Sequence, residues 1–162
     1  MKKAAGFLFL VVFFCSCSAQ TYRVQKAQAF FTVSIPGAQM VDDKGNPVPP
    51  QLITERFIYI ESNYKGNPQI DSVIYGGKSF IPVVADKEEI SLNIGVKKDN
   101  GQAVKLRPKK GNHVWKINVD QSVNPDPTSA SVKKIIIKGK LGNTDFKYTL
   151  NGETELEAPL RY

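Results

Sequence analysis

Apolar and polar residues alternate along most of the chain beyond residue 28, with the period of two that marks β-strands. In Ala29–Ile35, Phe31, Val33 and Ile35 face opposite to Phe30, Thr32 and Ser34. In Arg56–Glu61, Phe57 and Tyr59 face opposite to Ile58 and Ile60, which suits a strand covered on both sides. Ile70–Tyr75 and Ser79–Val84 read as two further short strands parted by Gly76-Gly77. No long run has helical period; one turn of helix is the most that Asp86–Glu89 predicts.

The next section carries register information. Ile90, Leu92, Ile94 and Val96 share one face, and Val104 and Leu106 share another. A two-residue turn at Asn100-Gly101 would set Val96 against Lys105. A three-residue loop of Asp99, Asn100 and Gly101 pairs Val96 with Val104 and Ile94 with Leu106, with Gly101 left-handed, and is the expected solution. A third strand after the turn at Pro108–Asn112, with Trp115, Ile117 and Val119 inward, would complete a meander. In the last hairpin a Gly142-Asn143 turn pairs Gly139 with Phe146, Ile137 with Tyr148 and Ile135 with Leu150. The same register sets Lys138 opposite Lys147 and Lys140 opposite Asp145. A short strand at Glu155–Leu160 ends the series.

About eight or nine short strands at this spacing predict an all-β fold, an antiparallel β-sandwich of Ig-like type, with a barrel as the less favoured closure. The expected organisation is an export signal over 1–19, a tether over 20–27 and one domain over 28–162. Such a body can bury a core without cross-links. Two long connections, Pro36–Gln51 and Asp120–Ser131, are rich in proline and of a length often tied to function.

The N-terminal segment breaks the β pattern. Lys2 and Lys3 precede an unbroken apolar run from Ala4 to Phe14. Eleven helical residues span about 16 Å, roughly half of a ~30 Å hydrocarbon core, so the run suits an export signal and not a membrane span. Phe14-Cys15-Ser16-Cys17 resembles the lipobox of bacterial lipoproteins, in which a small residue precedes a cysteine that is lipidated and becomes the new N-terminus. Ser16 before Cys17 fits; Phe14 stands where that family prefers Leu. The resemblance implies lipidation at Cys17. Because no Asp follows the cysteine, it also implies an outer-membrane lipoprotein, with the side of the membrane open. Cleavage after Ala19, giving a soluble periplasmic or secreted chain that starts at Gln20, is the alternative.

Cys15 and Cys17 are the two cysteines of the chain, so the expected body has no disulfide and no thiolate chemistry. The chain carries 22 basic and 15 acidic residues, and its surplus is concentrated in residues 91–150, where twelve basic residues face four acidic ones. Lys97, Lys105, Arg107 and Lys116 would lie on the outward face of the meander, with Lys109 and Lys110 in the adjoining turn. This is a candidate surface for a polyanion or an anionic membrane. Nucleic acid is not an expected partner for an exported chain without a reading motif.

Catalytic and metal chemistry find little material. His113 is the single histidine and reads as a residue at the sheet rim beside Trp115, without neighbours for a metal site or a nucleophile elbow for a triad. Asp42-Asp43 and Glu88-Glu89 are adjacent pairs in turns, not acids facing one another across a cleft, and Asp42-Asp43 lacks the spaced oxygens of a calcium loop. Asp42–Val48 reads as a turn and faintly resembles the turn of Ig-like modules on bacterial surface proteins. Tyr22, Tyr64, Tyr75 and Tyr162 are candidates for a glycan platform. The expectation is therefore a non-catalytic envelope protein with a binding or structural module, no cofactor, no metal, and an envelope protein or glycan as partner. A carboxylate-dependent hydrolase is the remote alternative. The mass of the mature N-terminus checks the first step: a diacyl or triacyl Cys17 is expected, whereas a chain starting at Gln20 removes the anchor.

Overall fold

The computed structural model describes residues 21–34, 41–48, 52–88, 92–120 and 131–158, and for 84–88 and 120 the backbone alone. The export signal, Cys17, Glu89, Tyr162 and most of both long connections lie outside the described residues. Among the described residues the fold is all-β: β1 Val24–Ser34, β2 Ile53–Ser62, β3 Gln69–Tyr75, β4 Lys78–Glu88, β5 Leu92–Val96, β6 Ala103–Leu106, β7 His113–Asp120, β8 Ile135–Leu141, β9 Thr144–Leu150 and β10 Thr154–Leu156. Eight of them make one curled sheet in the order β10-β1-β2-β7-β4-β3-β8-β9, and β5-β6 is a separate hairpin. No described helix is long and apolar enough to cross a membrane.

The sandwich-like layers are the two halves of one sheet, joined at β4. Lys78–Phe80 pair with β3, and Ile81–Glu88 pair with β7. Pro82, which has no N–H to give, stands just past this hand-over, where the ladder already changes partner. Between the layers lies the main core, with Ile58, Ile60, Trp115, Ile117, Ile135 and Ile137 inaccessible to solvent. The Gly76-Gly77 turn between β3 and β4 has both residues at positive φ (54° and 94°), as a two-residue hairpin of primed type requires.

β2 is covered on both faces, as its pattern predicts. Ile58 and Ile60 enter the main core; Tyr59 and Phe57 enter a second cluster on the other side with Phe30, Val104, Leu106 and Val114. The β5-β6 hairpin lies on that second face. Burying Val104 and Leu106 there contributes about 1.5–3 kcal/mol for each side chain.

The last hairpin has the expected register throughout, from Leu141 opposite Thr144 to Ile135 opposite Leu150. Gly139 has a further reason to be bare: a Cβ there would strike the carbonyl oxygen of Gln69 on the bulged strand β3.

Five expectations are corrected. First, β1 starts at Val24 and buries Ala27, so the expected tether over 20–27 ends four residues early; a register shift between Val24 and Lys26 masks the alternation. Second, there is no meander. β6 has one apolar face and lies on the sheet, whereas β7 buries Val114 on one face and Trp115 on the other and therefore runs between β2 and β4. Third, the β5-β6 loop is Lys98–Gly101, closed where the Lys97 N–H donates to the Gln102 carbonyl (2.9 Å), and it sets Val96 against Ala103. A bulge at Ile94 then restores phase so that Leu92 meets Leu106, although Gly101 is left-handed as expected (φ 66°). Fourth, Asp86–Glu88 continue β4 as strand. Fifth, β10 pairs parallel with β1, so the sheet is mixed.

One buried ion pair ties the C-terminal strand to the core. The Arg56 Nε donates to Glu153 Oε1 at 3.3 Å with both side chains inaccessible, and the Val132 N–H donates to the same oxygen at 2.9 Å. The guanidinium lies over the rings of Phe31 (5.5 Å) and Tyr75 (5.7 Å). Burial pushes the Tyr75 phenol well above its ordinary pKa, and Glu153 adds to the rise. Arg56→Met is expected to lower the unfolding free energy by about 3–5 kcal/mol, because it strands a buried carboxylate. Adding Glu153→Gln, which keeps an acceptor for the Val132 N–H, is expected to recover more than half of that loss in urea unfolding.

Candidate functional site

The strands give the molecule two ends. At the proximal end are Thr21, the β2-β3 connection, the Pro108–Asn112 turn and the Gly142-Asn143 turn. Ser34, Ile53, Asp120 and Ile81 mark the distal end. At about 3.3 Å per residue the eleven residues of β1 place these ends some 36 Å apart.

The basic residues singled out by sequence do not share one face, because β6 and β7 are not sheet neighbours and Lys105 and Lys116 never become cross-strand partners. Lys97 lies at the tip of the β5-β6 hairpin, where its Nζ donates to Gln102 Oε1 (3.3 Å). Lys105 and Arg107 are exposed on the outward side of that hairpin. Lys109 and Lys110 sit in the proximal turn. Lys116 is on β7 in the sheet beneath, with its Nζ 4.8 Å from the centre of the Phe57 ring.

The tyrosines separate too. Tyr22 and Tyr64 meet edge to face at 4.8 Å at the proximal end. Tyr75 is buried in the core and cannot join a surface platform. His113 begins β7 opposite Ser62, half-buried, with its ring 5.9 Å from that of Trp115. Among the described residues no group of three or more His, Cys, Asp and Glu side chains is placed to hold a metal.

The Asp42–Val48 turn is built as its composition predicts. Asp42 Oδ1 accepts from the backbone N–H groups of Lys44 (2.9 Å) and Asn46 (2.8 Å), and Oδ2 accepts from the Asn46 amide (3.1 Å). Asn46, through side chain and backbone, holds the Asp42 carboxyl below its ordinary value, and the Lys44 N–H adds to this. The carboxylate is thus committed to its own turn.

The surface that sequence reasoning missed is at the distal end. The large hydrophobic side chains left exposed among the described residues are Val41, Val48, Leu52, Ile53, Ile81 and Val83, at 39–61 %. All lie in the β1-β2 connection or near the starts of β2 and β4. Ile81 and Val83 are on the outer face of the central sheet, in rows with Asp120 and Asn118, outside the cluster that the β5-β6 hairpin covers. Beside them is an open cleft of about 450 Å³ lined by Glu55, Phe57, Lys116 and Asn118, among others. Its floor is Phe57, which stacks on Phe30 at 5.9 Å and carries the Lys116 ammonium on its ring. The run Phe80–Val84 contains this signal, but nothing local says which of its two faces will be left uncovered.

Comparison of the chain with protein-family models, with curated proteins and with solved structures finds no match.

The Asp42 turn supplies a pH prediction. A carboxyl group with a lowered folded pKa stabilises above its unfolded value and loses that contribution as pH falls through the folded value. Carboxyl-resolved NMR titration is expected to place Asp42 below 3.8, and Asn46→Ala is expected to move it up toward 3.8.

Proposed function

We propose that this chain is an exported, lipid-anchored protein of the cell envelope whose sandwich is a non-catalytic binding module, and that its partner is a protein held at the distal apolar end. The observation that carries the reading is the gathering of the exposed large hydrophobic side chains at one end of the described fold. Single exposed apolar residues are ordinary, but several at one end of a fold, two of them beside a cleft, suit an interaction site. Its chemistry favours a protein over a glycan or a polyanion, since the core of a protein interface is apolar with charges at its rim. Lys116 and Glu55 would sit at that rim.

The cleft lining includes one carboxylate, Glu55, where glycoside hydrolysis takes two. The charged start, apolar run and Cys17 of the N-terminal segment support export and anchoring, and cysteine-free residues 18–162 suit a module that needs no redox chemistry. The anchor and the apolar surface then sit at opposite ends of β1, so the surface is presented away from the membrane.

Cross-linking in intact cells tests the reading. The native chain is expected to give a discrete protein adduct. Ile81→Glu with Val83→Glu, exposed positions at which folding should survive, is expected to reduce the adduct at least about tenfold, as loss of central apolar contacts does at interfaces. Lys138→Glu, on the exposed face of β8, is the control and should leave it intact. An adduct indifferent to the double change, or saturable binding to purified envelope polysaccharide in its place, would sink the proposal.

A further inference from the structure

We infer that the proximal end is a cationic surface that rests on anionic lipid headgroups, so that the sandwich stands on the membrane with β1 pointing away from it. The inference builds on the reading of Cys17 as the lipidated residue, and its test keeps the two apart.

Arg23, Lys65, Lys109 and Lys110 are all exposed at this end. Three local structures bring them together. The Arg23 N–H donates to Asn63 Oδ1 (3.0 Å) and the Asn63 amide donates back to the Thr21 carbonyl (3.3 Å), which fixes the start of β1 against the segment that carries Lys65. Tyr22 packs on Tyr64 beside it. The Lys109 N–H (2.9 Å) and the Asn112 amide (2.6 Å) both donate to Glu61 Oε1, which holds the turn bearing Lys109 and Lys110 against the end of β2.

The acids nearby cancel only part of this charge: exposed Asp71, which accepts from the Gln69 amide at 3.0 Å, offsets one cation. Glu61 is 8 % exposed, with one oxygen occupied by those two donors. Asp145 is matched by Lys140 at 3.7 Å.

The covalent path supplies the second argument. Four residue steps separate Cys17 from Thr21, and even fully extended they span at most about 14 Å. A lipid chain on Cys17 therefore confines this end to within about 14 Å of the headgroups, and lysine and arginine side chains cover part of that gap. At about 10 Å of screening length in 0.1 M salt, the four cations feel an anionic surface, while Lys138 and Lys147, on the outward face of β8 and β9, do not point at it.

The test reconstitutes the processed full chain, purified from the envelope, on vesicles of phosphatidylcholine alone or with phosphatidylglycerol. Amine acylation read by mass spectrometry reports each lysine. Lys65, Lys109 and Lys110 are expected to label several-fold more slowly on the anionic vesicles, with the difference gone at molar salt. Lys138 and Lys147 should label alike on both. Equal labelling of the proximal lysines on the two vesicles, or protection of Lys138 and Lys147 in their place, overturns the inference. The N-terminal mass of the same preparation reports the anchor separately. If the chain begins at Gln20 the anchor fails, and the surface is then scored by partition onto the anionic vesicles. Arg23→Gln, Lys65→Gln, Lys109→Gln and Lys110→Gln together should weaken partition at least about a hundredfold, since each basic residue near such a surface contributes about fivefold. Unchanged partition of that variant overturns the surface as well.

Discussion

The two-sided burial of β2 and β7 is the constraint from which the rest of the architecture follows. Ile58, Ile60, Trp115 and Ile117 need one apolar layer, and Phe57, Tyr59 and Val114 need another on the opposite side. A single curled sheet satisfies the first need by folding β3, β8 and β9 back over the centre. The second falls to β5-β6, whose tip is bonded to β10 at one edge of the sheet and which therefore covers only part of the outer face. It covers the β10-β1-β2 side of that face, with Phe30, Tyr59 and Leu156, and leaves Val83 and Ile81 on β4 open. The exposed apolar end is thus the remainder of a face that the chain itself covers only in part.

A charged contact sits within this apolar arrangement. Removing Arg56 and Glu153 from water is costly, and their attraction only roughly offsets that cost. What the pair supplies is position: Glu153 stands immediately before β10, and the Val132 N–H reaches the same oxygen. The chain leaving the segment before β8 and the chain leaving β9 are thereby brought to one place beneath β1. A hydrophobic contact would stabilise this junction without fixing its direction.

What could be read from the sequence depended on how local its causes are. The β8-β9 hairpin was legible residue by residue, since a two-residue turn and strict alternation set the whole register. The β5-β6 hairpin departs from its expected register at its four-residue loop and again at its bulge. Gly95 takes φ 148° where its Cα faces the Leu156 side chain, sixty-one positions along the chain. The place of β7 was hidden for the same reason: its immediate neighbour β6 offered a plausible partner, while the observed partners, β2 and β4, lie farther off in sequence. Arg56 and Glu153, ninety-seven residues apart, gave no signal of their pairing. The candidate surface was half legible. Ile81 and Val83 were visible as apolar residues, but their exposure depends on how far another hairpin reaches.

β1 has a mechanical consequence. It carries a hydrogen-bonded neighbour on each side, antiparallel β2 and parallel β10, and it spans nearly the full height of the fold. A pull applied at Thr21 runs along the strand axis, at right angles to the bonds that hold β1 to β2. Those bonds share the load and must yield together, as in shear, instead of opening one after another like a zip. A tug on the N-terminal end is therefore resisted by the longest ladder among the described residues.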